Sequence, residues 1–230
     1  MAVPDSPAVK LAIYDLDRTI TRAPTWTPFL IHAVARHAPW RIALLPVVLG
    51  AAGLKGLGLL HRDRLKQVMH RAALGTLSPE RAARLAADWL VRFGPAQIRA
   101  KARAQIAADR ADGYRIVIAT AAYRFYAEAI ARDVGADALI ATATAVDARG
   151  HLLPRIAGGN CYGPGKLAMI TAWMREQGIA RGDALVRFYS DHVSDAPTFD
   201  WADEPVAVNP HAALRRLAVA RGWAQVDWDA

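Results

Sequence analysis

The chain has 230 residues, of which 53% are hydrophobic and 22% are charged. These values exclude a disordered chain, and the length allows one large domain or a core domain with a smaller insertion. The formal net charge is +8. This charge favours anionic partners such as phosphate esters, anionic lipids or nucleic acid, although a general preference for arginine would give the same balance.

The sequence also bears on the cellular compartment. Cys161 is the only cysteine, so an intrachain disulfide is impossible and a reducing compartment is expected. Residues 1–10 have neither the basic segment nor the apolar segment of a secretory signal. We therefore expect a cytoplasmic protein.

The first predicted element is a buried strand over residues 11–14, and it ends in two aspartates, Asp15 and Asp17. Like charges at the end of a buried strand repel one another. Their burial costs roughly several kcal/mol unless a cation or hydrogen bonds compensate. The pair therefore either faces water or binds a cation.

Residues 26–93 have the pattern of successive helices, the clearest of which begins after Ser78. Residues 42–60 form the most apolar run of the chain, interrupted by Pro46, Lys55 and glycines. A membrane span needs about 20 apolar residues, so a span is the least favoured interpretation. The run predicts a helix or helical hairpin that is buried or lies on a membrane surface.

The rest of the chain alternates between strands and helices. Helices are predicted over 95–110, 123–135, 163–178 and 210–222, and strands over 114–120, 138–154, 184–191, 205–209 and 223–228. This alternation predicts an α/β fold with a parallel sheet and right-handed crossovers. We expect a core domain of residues 1–22 and 95–230, with a helical cap domain of residues 23–94 inserted after the first strand.

Polar side chains follow three predicted strands, and a lysine begins a predicted helix. They are Asp15 and Asp17, Thr120, Asp191 and Asp195, and Lys166. Ligands of open α/β sheets bind beyond the carboxyl ends of the strands, so we expect these groups to converge. Gathered carboxylates favour Mg²⁺, one aspartate could attack phosphorus, and the hydroxyl and ammonium could hold phosphoryl oxygens. The set predicts phosphoryl transfer.

At these residues the sequence resembles the haloacid dehalogenase (HAD) superfamily. Residues 15–19 resemble its DxDxT motif, Thr120 its second motif, Lys166 its third, and residues 191–195 its acidic fourth. The resemblance implies a Rossmann-like core and a Mg²⁺-dependent phosphatase that forms an aspartyl-phosphate. A helical insertion directly after the first motif is similar to the phosphoserine-phosphatase-like branch.

The resemblance also implies a role for each aspartate. Asp15 would be the nucleophile and a Mg²⁺ ligand, and Asp17 the general acid and base, with its backbone carbonyl on the metal. Asp191 would bind Mg²⁺, and Asp195 would hold a metal-bound water or Lys166. Thr120 and Lys166 complete the implied catalytic set.

The sequence departs from phosphoserine phosphatases in two places. Ser190 and His192 replace glycines that often flank the first aspartate of the fourth motif, and Ser194 replaces an asparagine. The segments CYGPGK and PVAVNP resemble uncharacterised bacterial hydrolases and phosphatidylglycerophosphate phosphatases of the same branch.

The cap segment gives a hypothesis for the substrate. Phosphoserine phosphatases place an acid shortly after the first motif, but residues 18–62 contain no Asp or Glu and six lysines or arginines. Basic and apolar character together favour a lipid-like or other non-amino-acid phosphate, with possible peripheral contact at the inner face of the membrane. Phosphoserine or another small metabolite is the alternative.

Three other classes of function are compatible with part of the sequence. A phosphorelay receiver also gathers aspartates, a threonine and a lysine, but such domains are about 120 residues long and carry no large helical insertion. Nucleic-acid binding rests on net charge alone, without a recognised motif, and is not expected. A membrane-surface binding protein is the other non-enzyme alternative.

Overall fold

The structure is a computed structural model that describes residues 9–229. Residues 1–8, on which the expectation about a secretory signal rests, lie outside the described residues. The strands are β1 (Val9–Tyr14), β2 (Arg115–Tyr123), β3 (Ala138–Val146), β4 (Leu152–Ala157), β5 (Ala184–Ser190), β6 (Glu204–Val208) and β7 (Ala224–Val226). The α-helices are α1 (Trp26–His37), α2 (Leu45–Gly56), α3 (Arg62–Ala73), α4 (Pro79–Gln97), α5 (Ala100–Ala111), α6 (Arg124–Asp133), α7 (Pro164–Glu176), α8 (Ala196–Trp201) and α9 (Ala212–Arg221).

The strands form one seven-stranded sheet in the order β4-β3-β2-β1-β5-β6-β7. Every neighbouring pair is parallel except β3 and β4, which form an antiparallel hairpin. β1 lies between β2 and β5, with Ile13 paired with Val117 on one side and with Phe188 on the other. The prediction of an α/β fold with a parallel sheet is confirmed.

The apolar sequence of β1 follows from burial on both faces of the sheet. Ala12 and Tyr14 belong to the core cluster that includes the helices following β1, whereas Leu11 and Ile13 belong to the cluster on the opposite face. All four side chains are fully buried. The carboxyl end of β1 is therefore fixed at the centre of the sheet. The residues that follow β1 lie at the same central point of the sheet edge.

The chain leaves β1 and returns to the sheet through two adjacent segments. Thr21 forms an antiparallel bridge with Ile98, and the Arg22 N–H donates to the Gln97 carbonyl at 2.8 Å. Between these segments the described chain is helical, with an isolated bridge from Leu77 to Leu152 of β4. The division into core and cap domains stays a prediction.

Two predicted boundaries differ from the structure. The helix predicted to begin at Pro95 does not, because α4 continues through Pro95 and α5 begins only at Ala100. The two residues between these helices are extended, since Ile98 pairs with the chain that leaves β1. β2 runs three residues past Thr120, but its register with β3 shifts directly after that residue.

The apolar run of residues 42–60 forms the end of a short 3-10 helix, the whole of α2 and the turn that follows. In α2 only Ala51 is buried, so the expectation that this run is buried in the protein is wrong. Trp40, just before the run, is 66% exposed. Among the described residues, no helix has the length and apolar character needed to cross a membrane.

Candidate active site

The turn after β1 presents the first two aspartates. The Asp15 N–H donates to the Tyr189 carbonyl at 2.8 Å, which extends the pairing of β1 with β5 by one residue. The Thr21 N–H then donates to the Leu16 carbonyl at 3.0 Å and closes a wide turn. Within it, Arg18 has φ of 62°, a left-handed conformation that costs about 1–3 kcal/mol in a non-glycine residue and often occurs at active sites.

All six predicted site residues line one cavity of about 240 Å³ at the carboxyl edge of the sheet. They are Asp15, Asp17, Thr120, Lys166, Asp191 and Asp195. They come from β2, α7 and the segments that follow β1 and β5. The cavity therefore lies where the rule for open α/β sheets expects a ligand.

Lys166 joins two of the aspartates. Its Nζ donates to Asp15 Oδ1 at 2.9 Å and to Asp195 Oδ2 at 2.5 Å. All three side chains are buried or nearly so, so each charge depends on the others. The two carboxylates raise the pKa of Lys166 above its usual value against the opposing effect of burial, and the ammonium stays charged.

The start of α7 explains how a lysine in a first helical turn reaches this depth. Gly163 has φ of 56°, which favours glycine, and the Lys166 N–H donates to its carbonyl at 2.9 Å. A Cβ on Gly165 would lie 2.7 Å from the Asn160 carbonyl oxygen, so this position also requires glycine. The GPG sequence therefore turns the chain tightly enough to direct Lys166 inward.

Asp17 is held by a residue that the sequence did not indicate. Its Oδ1 accepts hydrogen bonds from the Thr25 backbone N–H at 2.8 Å and from Thr25 Oγ1 at 2.7 Å. The hydroxyl of Tyr126 lies 3.0 Å from Thr25 Oγ1. Burial raises the pKa of Asp17, and the bonds from Thr25 offset part of that effect. Asp17 therefore has a fixed orientation and a raised affinity for a proton.

The serine at the end of β5 supports the fourth motif. Ser190 Oγ donates to Asp195 Oδ2 at 2.7 Å, so this departure from glycine holds an aspartate rather than disturbing it. His192 Nδ1 accepts from the Ser194 N–H at 3.1 Å and lies 2.8 Å from Ser194 Oγ. Ser190, His192 and Ser194, which differ from the residues usual in phosphoserine phosphatases, therefore stabilise the loop that carries Asp191 and Asp195.

Burial makes three of the aspartates in the cavity, Asp15, Asp17 and Asp191, harder to ionise. Burial raises the pKa of Asp15 to about 7; Asp195 and Asp191 add to the increase, and Lys166 opposes it. Burial likewise raises the pKa of Asp191 to about 6, against Lys166 and Arg18. Lys166, Arg18 and Arg62 bring three positive charges to the four aspartates of the cavity, so a bound cation would favour the ionised forms of all four.

The predicted metal ligands differ in how free their carboxylates are to hold a hard cation. Within residues 9–229, the predicted metal ligands do not form a group of side-chain atoms that all lie within 4.8 Å, whereas His32, His37 and Asp88 do. The reason is that Asp17 turns its carboxylate toward Thr25 and Asp195 turns its own toward Lys166. This leaves Asp15 and Asp191 as side-chain oxygen donors. Asp195 Oδ1 is buried with no hydrogen-bond partner among the described residues, which suits a metal-bound water.

A wider cavity of about 620 Å³ adjoins the one lined by the six predicted residues and shares Asp17, Arg62, Ala121, Tyr162 and His192 with it. Its lining includes three cationic side chains, Lys55, Arg62 and Lys66, and the aromatic side chains of Trp26, Tyr126 and Tyr162. Among residues 9–229, Asp17 is the only acidic residue that lines it. The cavity therefore offers a leaving group positive charge and aromatic surface.

Sequence reasoning missed Lys66, which α3 brings over the sheet edge. Its Nζ donates to the Ala121 carbonyl, one residue after Thr120, and lies 4.0 Å from the ring centroid of Tyr123. Burial lowers its pKa to about 7, although Asp17 and Asp63 oppose that effect. The only sequence signal that could have identified Lys66 as a site residue is its place on the polar face of a predicted helix. Nothing in the sequence brings that face to Ala121.

Comparison with known proteins assigns the chain to a family. The model of haloacid dehalogenase-like hydrolases matches residues 12–200. The chain belongs to this family. The histidinol-phosphatase of Neisseria meningitidis serogroup C (strain 8013) is 24% identical over 93% of this chain and 96% of that protein. The "Inhibition of morphological differentiation protein" of Streptomyces azureus is 36% identical over 50% of this chain, a match that spans only 41% of the relative.

Solved structures agree with this assignment of the HAD fold. A protein of unknown function from Bordetella pertussis Tohama I has a TM-score of 0.83 at 25% identity, covering 96% of this chain and 99% of its own. A phosphoserine phosphatase that carries an analogue of the phospho-aspartyl intermediate has a TM-score of 0.59 at 17% identity, covering 90% of each chain. The predictions of this superfamily, and of a hydrolase of phosphoric monoesters, are confirmed.

Proposed function

We propose that this HAD hydrolase is a Mg²⁺-dependent phosphomonoesterase that works through an aspartyl-phosphate and acts on a lipid-like or other non-amino-acid phosphate. The observation that carries the proposal is the buried ammonium of Lys166 between Asp15 and Asp195. It lies in a cavity that Asp17, Thr120 and Asp191 also line. A structural ion pair alone would not require the other three polar groups in the same cavity.

The proposed reaction assigns each step to a side chain that lines the cavity. A carboxylate oxygen of Asp15 attacks phosphorus, the ester P–O bond breaks, and Asp17 donates its proton to the leaving alkoxide. Asp17 then takes a proton from water, and that water attacks phosphorus and releases phosphate and free Asp15. The Thr120 hydroxyl and the Lys166 ammonium hold phosphoryl oxygens through both steps. The raised pKa of Asp17 favours the protonated form that the first step requires.

Mg²⁺ would be held by the carboxylates of Asp15 and Asp191 and by the backbone carbonyl of Asp17, with Asp195 oriented toward Lys166 and a metal-bound water. When bound, it would neutralise carboxylates that burial leaves reluctant to ionise and would offset charge on the phosphoryl oxygens. The unpaired Asp195 Oδ1 and the raised pKa of Asp191 support this assignment.

The substrate proposal rests on the wider cavity. Two cations, Lys55 and Arg62, line it together with Lys66, which is partly protonated near pH 7, and three aromatic rings. Among residues 9–229, no acid besides Asp17 lines it, so a substrate ammonium would meet like charge. Met69 lines both this cavity and an apolar groove of about 390 Å³ between α1, α2 and α3. A phosphate ester with an apolar body could therefore extend from the catalytic edge into the groove. The proposal includes peripheral contact of these helices with a membrane that carries such a substrate.

Histidinol phosphate is the second candidate, because the Neisseria relative of that name covers nearly the whole chain. One acid lies near the wider cavity. Asp63, in the first turn of α3, accepts a hydrogen bond from Asn160 Nδ2 at 2.6 Å and is partly exposed. Asp63 could pair with a substrate ammonium if that group approaches from the side of α3.

A substrate panel with Mg²⁺ tests the proposal. The panel contains p-nitrophenyl phosphate, lysophosphatidic acid, phosphatidylglycerol phosphate, histidinol phosphate and phosphoserine, with the D15N variant as control. We expect repeated turnover that D15N reduces by at least about 10⁴-fold, and the highest kcat/KM on a lipid phosphate. Activity that survives D15N would contradict the mechanism. A clear preference for phosphoserine or histidinol phosphate would contradict the substrate class.

A further inference from the structure

The apolar surface of this chain is concentrated in one place. Twelve large apolar side chains are exposed among the described residues, and eight of them lie between Trp40 and Leu59. Leu57 and Leu59 are 75% and 73% exposed. A helix that is apolar on all sides is normally covered by protein or lipid, yet α2 buries only Ala51. We call residues 40–59 the apolar cap face.

The charged residues that border the apolar cap face are basic up to Arg62, and Asp63, which is partly exposed, is the first acid after it. Residues 18–62 contain no acidic side chain, while Arg36, Lys55 and Arg62 are exposed at the ends of α1 and α2 and at the start of α3. Arg41 lies within the face, where its guanidinium donates to the Arg71 and Ala72 carbonyls at 3.1 and 3.0 Å. Apolar side chains bordered by lysine and arginine are the combination that binds the surface of an anionic membrane.

The positive charge around the apolar cap face favours an anionic membrane over a second copy of the chain as its partner. A two-fold dimer would place the same surface against itself, and would therefore bring the basic side chains of both copies together without an acid between residues 18 and 62 to pair with them. Like charges across an interface disfavour association. An anionic lipid headgroup supplies the opposite charge, and acyl chains cover the apolar side chains.

The length of α2 determines how it would meet the membrane. Its 12 residues span about 18 Å, well short of the roughly 30 Å of bilayer hydrocarbon. The helix can therefore lie in the interface but cannot cross it. We propose that residues 40–59 are a membrane-docking element that rests in the surface of an anionic bilayer.

The docking element continues into the substrate cavity. Lys55, in the last turn of α2, lines the wider cavity together with Asp17 and Arg62. A lipid phosphate at the membrane surface would meet these cations on its way to the catalytic edge. This delivery of substrate rests on the proposed function; the docking specifies the membrane contact included there and can be tested without hydrolysis.

Vesicle binding by the full chain tests the docking element. The double variant L57S/L59S removes two exposed side chains without opening the core, and V91S/V219S is the matched control, since Val91 and Val219 are 79% and 70% exposed on α4 and α9. We expect the wild type and the control to sediment with phosphatidylglycerol-containing vesicles and much less with phosphatidylcholine vesicles. L57S/L59S should need at least about tenfold more lipid for half-binding.

Two further measurements separate this proposal from the others. L57S/L59S and wild type should hydrolyse the water-soluble p-nitrophenyl phosphate at the same rate. If the wild type binds vesicles but hydrolyses no phosphate ester, the docking proposal stands and the proposed function is contradicted. Light scattering should find the same mass for both proteins. Three results would overturn the docking element. They are a wild type that does not bind anionic vesicles, equal vesicle binding by the variant and the wild type, and a wild-type dimer that the L57S/L59S substitutions dissociate.

Discussion

The catalytic edge of the sheet and the apolar cap face depart from the usual distribution of residues in opposite directions. At the catalytic edge, charged groups are buried: Lys166 and Asp195 are each 2% exposed. On the apolar cap face, leucines are exposed. Charged side chains are rarely buried unless they are paired, and large apolar patches are rarely left open. Each region therefore needs a partner, and the two partners differ.

The difference lies in where the partner comes from. Lys166 finds two carboxylates within the chain, and Ser190 and Thr25 hold the neighbouring acids, so the chain itself stabilises most of the buried charge. No described residue covers most of α2 in a comparable way. The buried charges at the catalytic edge thus have most of their partners within the chain. The exposed apolar side chains of the apolar cap face need a partner from outside it.

The largest effect is expected when the pairing at the catalytic edge is broken. K166M leaves Asp15 and Asp195 buried without their shared cation, which should lower the free energy of unfolding by about 3 kcal/mol and reduce turnover at least about 10³-fold. Urea unfolding and kinetics with p-nitrophenyl phosphate measure the two effects. R216M, on the exposed surface of α9, is the control for lost charge, and a K166M protein as stable as R216M would contradict the pairing.

Asp17 should affect the two halves of the reaction differently. In D17N, an alkyl phosphate loses its proton donor and should react about 10²–10⁴-fold more slowly. p-Nitrophenyl phosphate has a leaving group that needs no proton, so its first turnover should remain fast while later ones slow. Rapid-quench kinetics with both esters would reveal the difference. Equal slowing of the first turnover with both esters would count against Asp17 as the acid.

His70 is a buried polar group of the cap that lacks the kind of partner Lys166 has. Both of its ring nitrogens are buried without a hydrogen-bond partner among the described residues. Burial lowers its pKa to about 4 from an ordinary 6.5, and the nearby Lys66 adds to the decrease. The unfolded chain therefore binds a proton that the folded chain rejects between pH 6.5 and 4.

The neutral His70 ring should make its full contribution to the free energy of unfolding above pH 6.5. As the pH falls toward 4, that free energy should decrease by about 3 kcal/mol. The ring lies among Trp26, Tyr123 and Phe125, so H70F should fit the site and remove this dependence. Urea unfolding at a series of pH values measures it. An unchanged slope in H70F over this range would exclude His70 as its source.

A smaller effect is expected from the residue that orients Asp17. T25V removes the hydroxyl bond to Asp17 Oδ1 and keeps the backbone bond, which should reduce kcat on an alkyl phosphate by about tenfold. T25S keeps the hydroxyl and should restore most of the rate. Equal rates in T25V and T25S would mean that the backbone N–H alone positions the carboxylate.

The sequence predicted the catalytic edge better than the apolar cap face, for a physical reason. The carboxyl ends of parallel strands meet at one edge, so acids that follow β1 and β5 must lie near Thr120 whatever the loops do. The predicted α/β fold and family are confirmed, and the six predicted residues share a cavity. Their individual roles stay predictions.

Contacts between distant helices and the sheet edge could not be predicted in the same way. Thr25 reaches Asp17, and Lys66 reaches Ala121, in a structure where Trp26 of α1 and His70 of α3 pack on Tyr123 of β2. Apolar character alone also did not distinguish burial from exposure in α2, since a continuous apolar pattern does not say what covers the helix. Pro95 was taken as the start of a helix, although α4 tolerates it near its end.

The covalent step can be tested by locating the phosphate that the enzyme retains. D17N would be mixed with p-nitrophenyl phosphate and Mg²⁺, quenched in acid during the first turnover and analysed by mass spectrometry. The proposed mechanism predicts one phosphate on Asp15, labile to hydroxylamine, and none in a D15N/D17N double variant. Phosphate on another residue, or p-nitrophenol release in the first turnover without any phosphorylated chain, would contradict attack by Asp15.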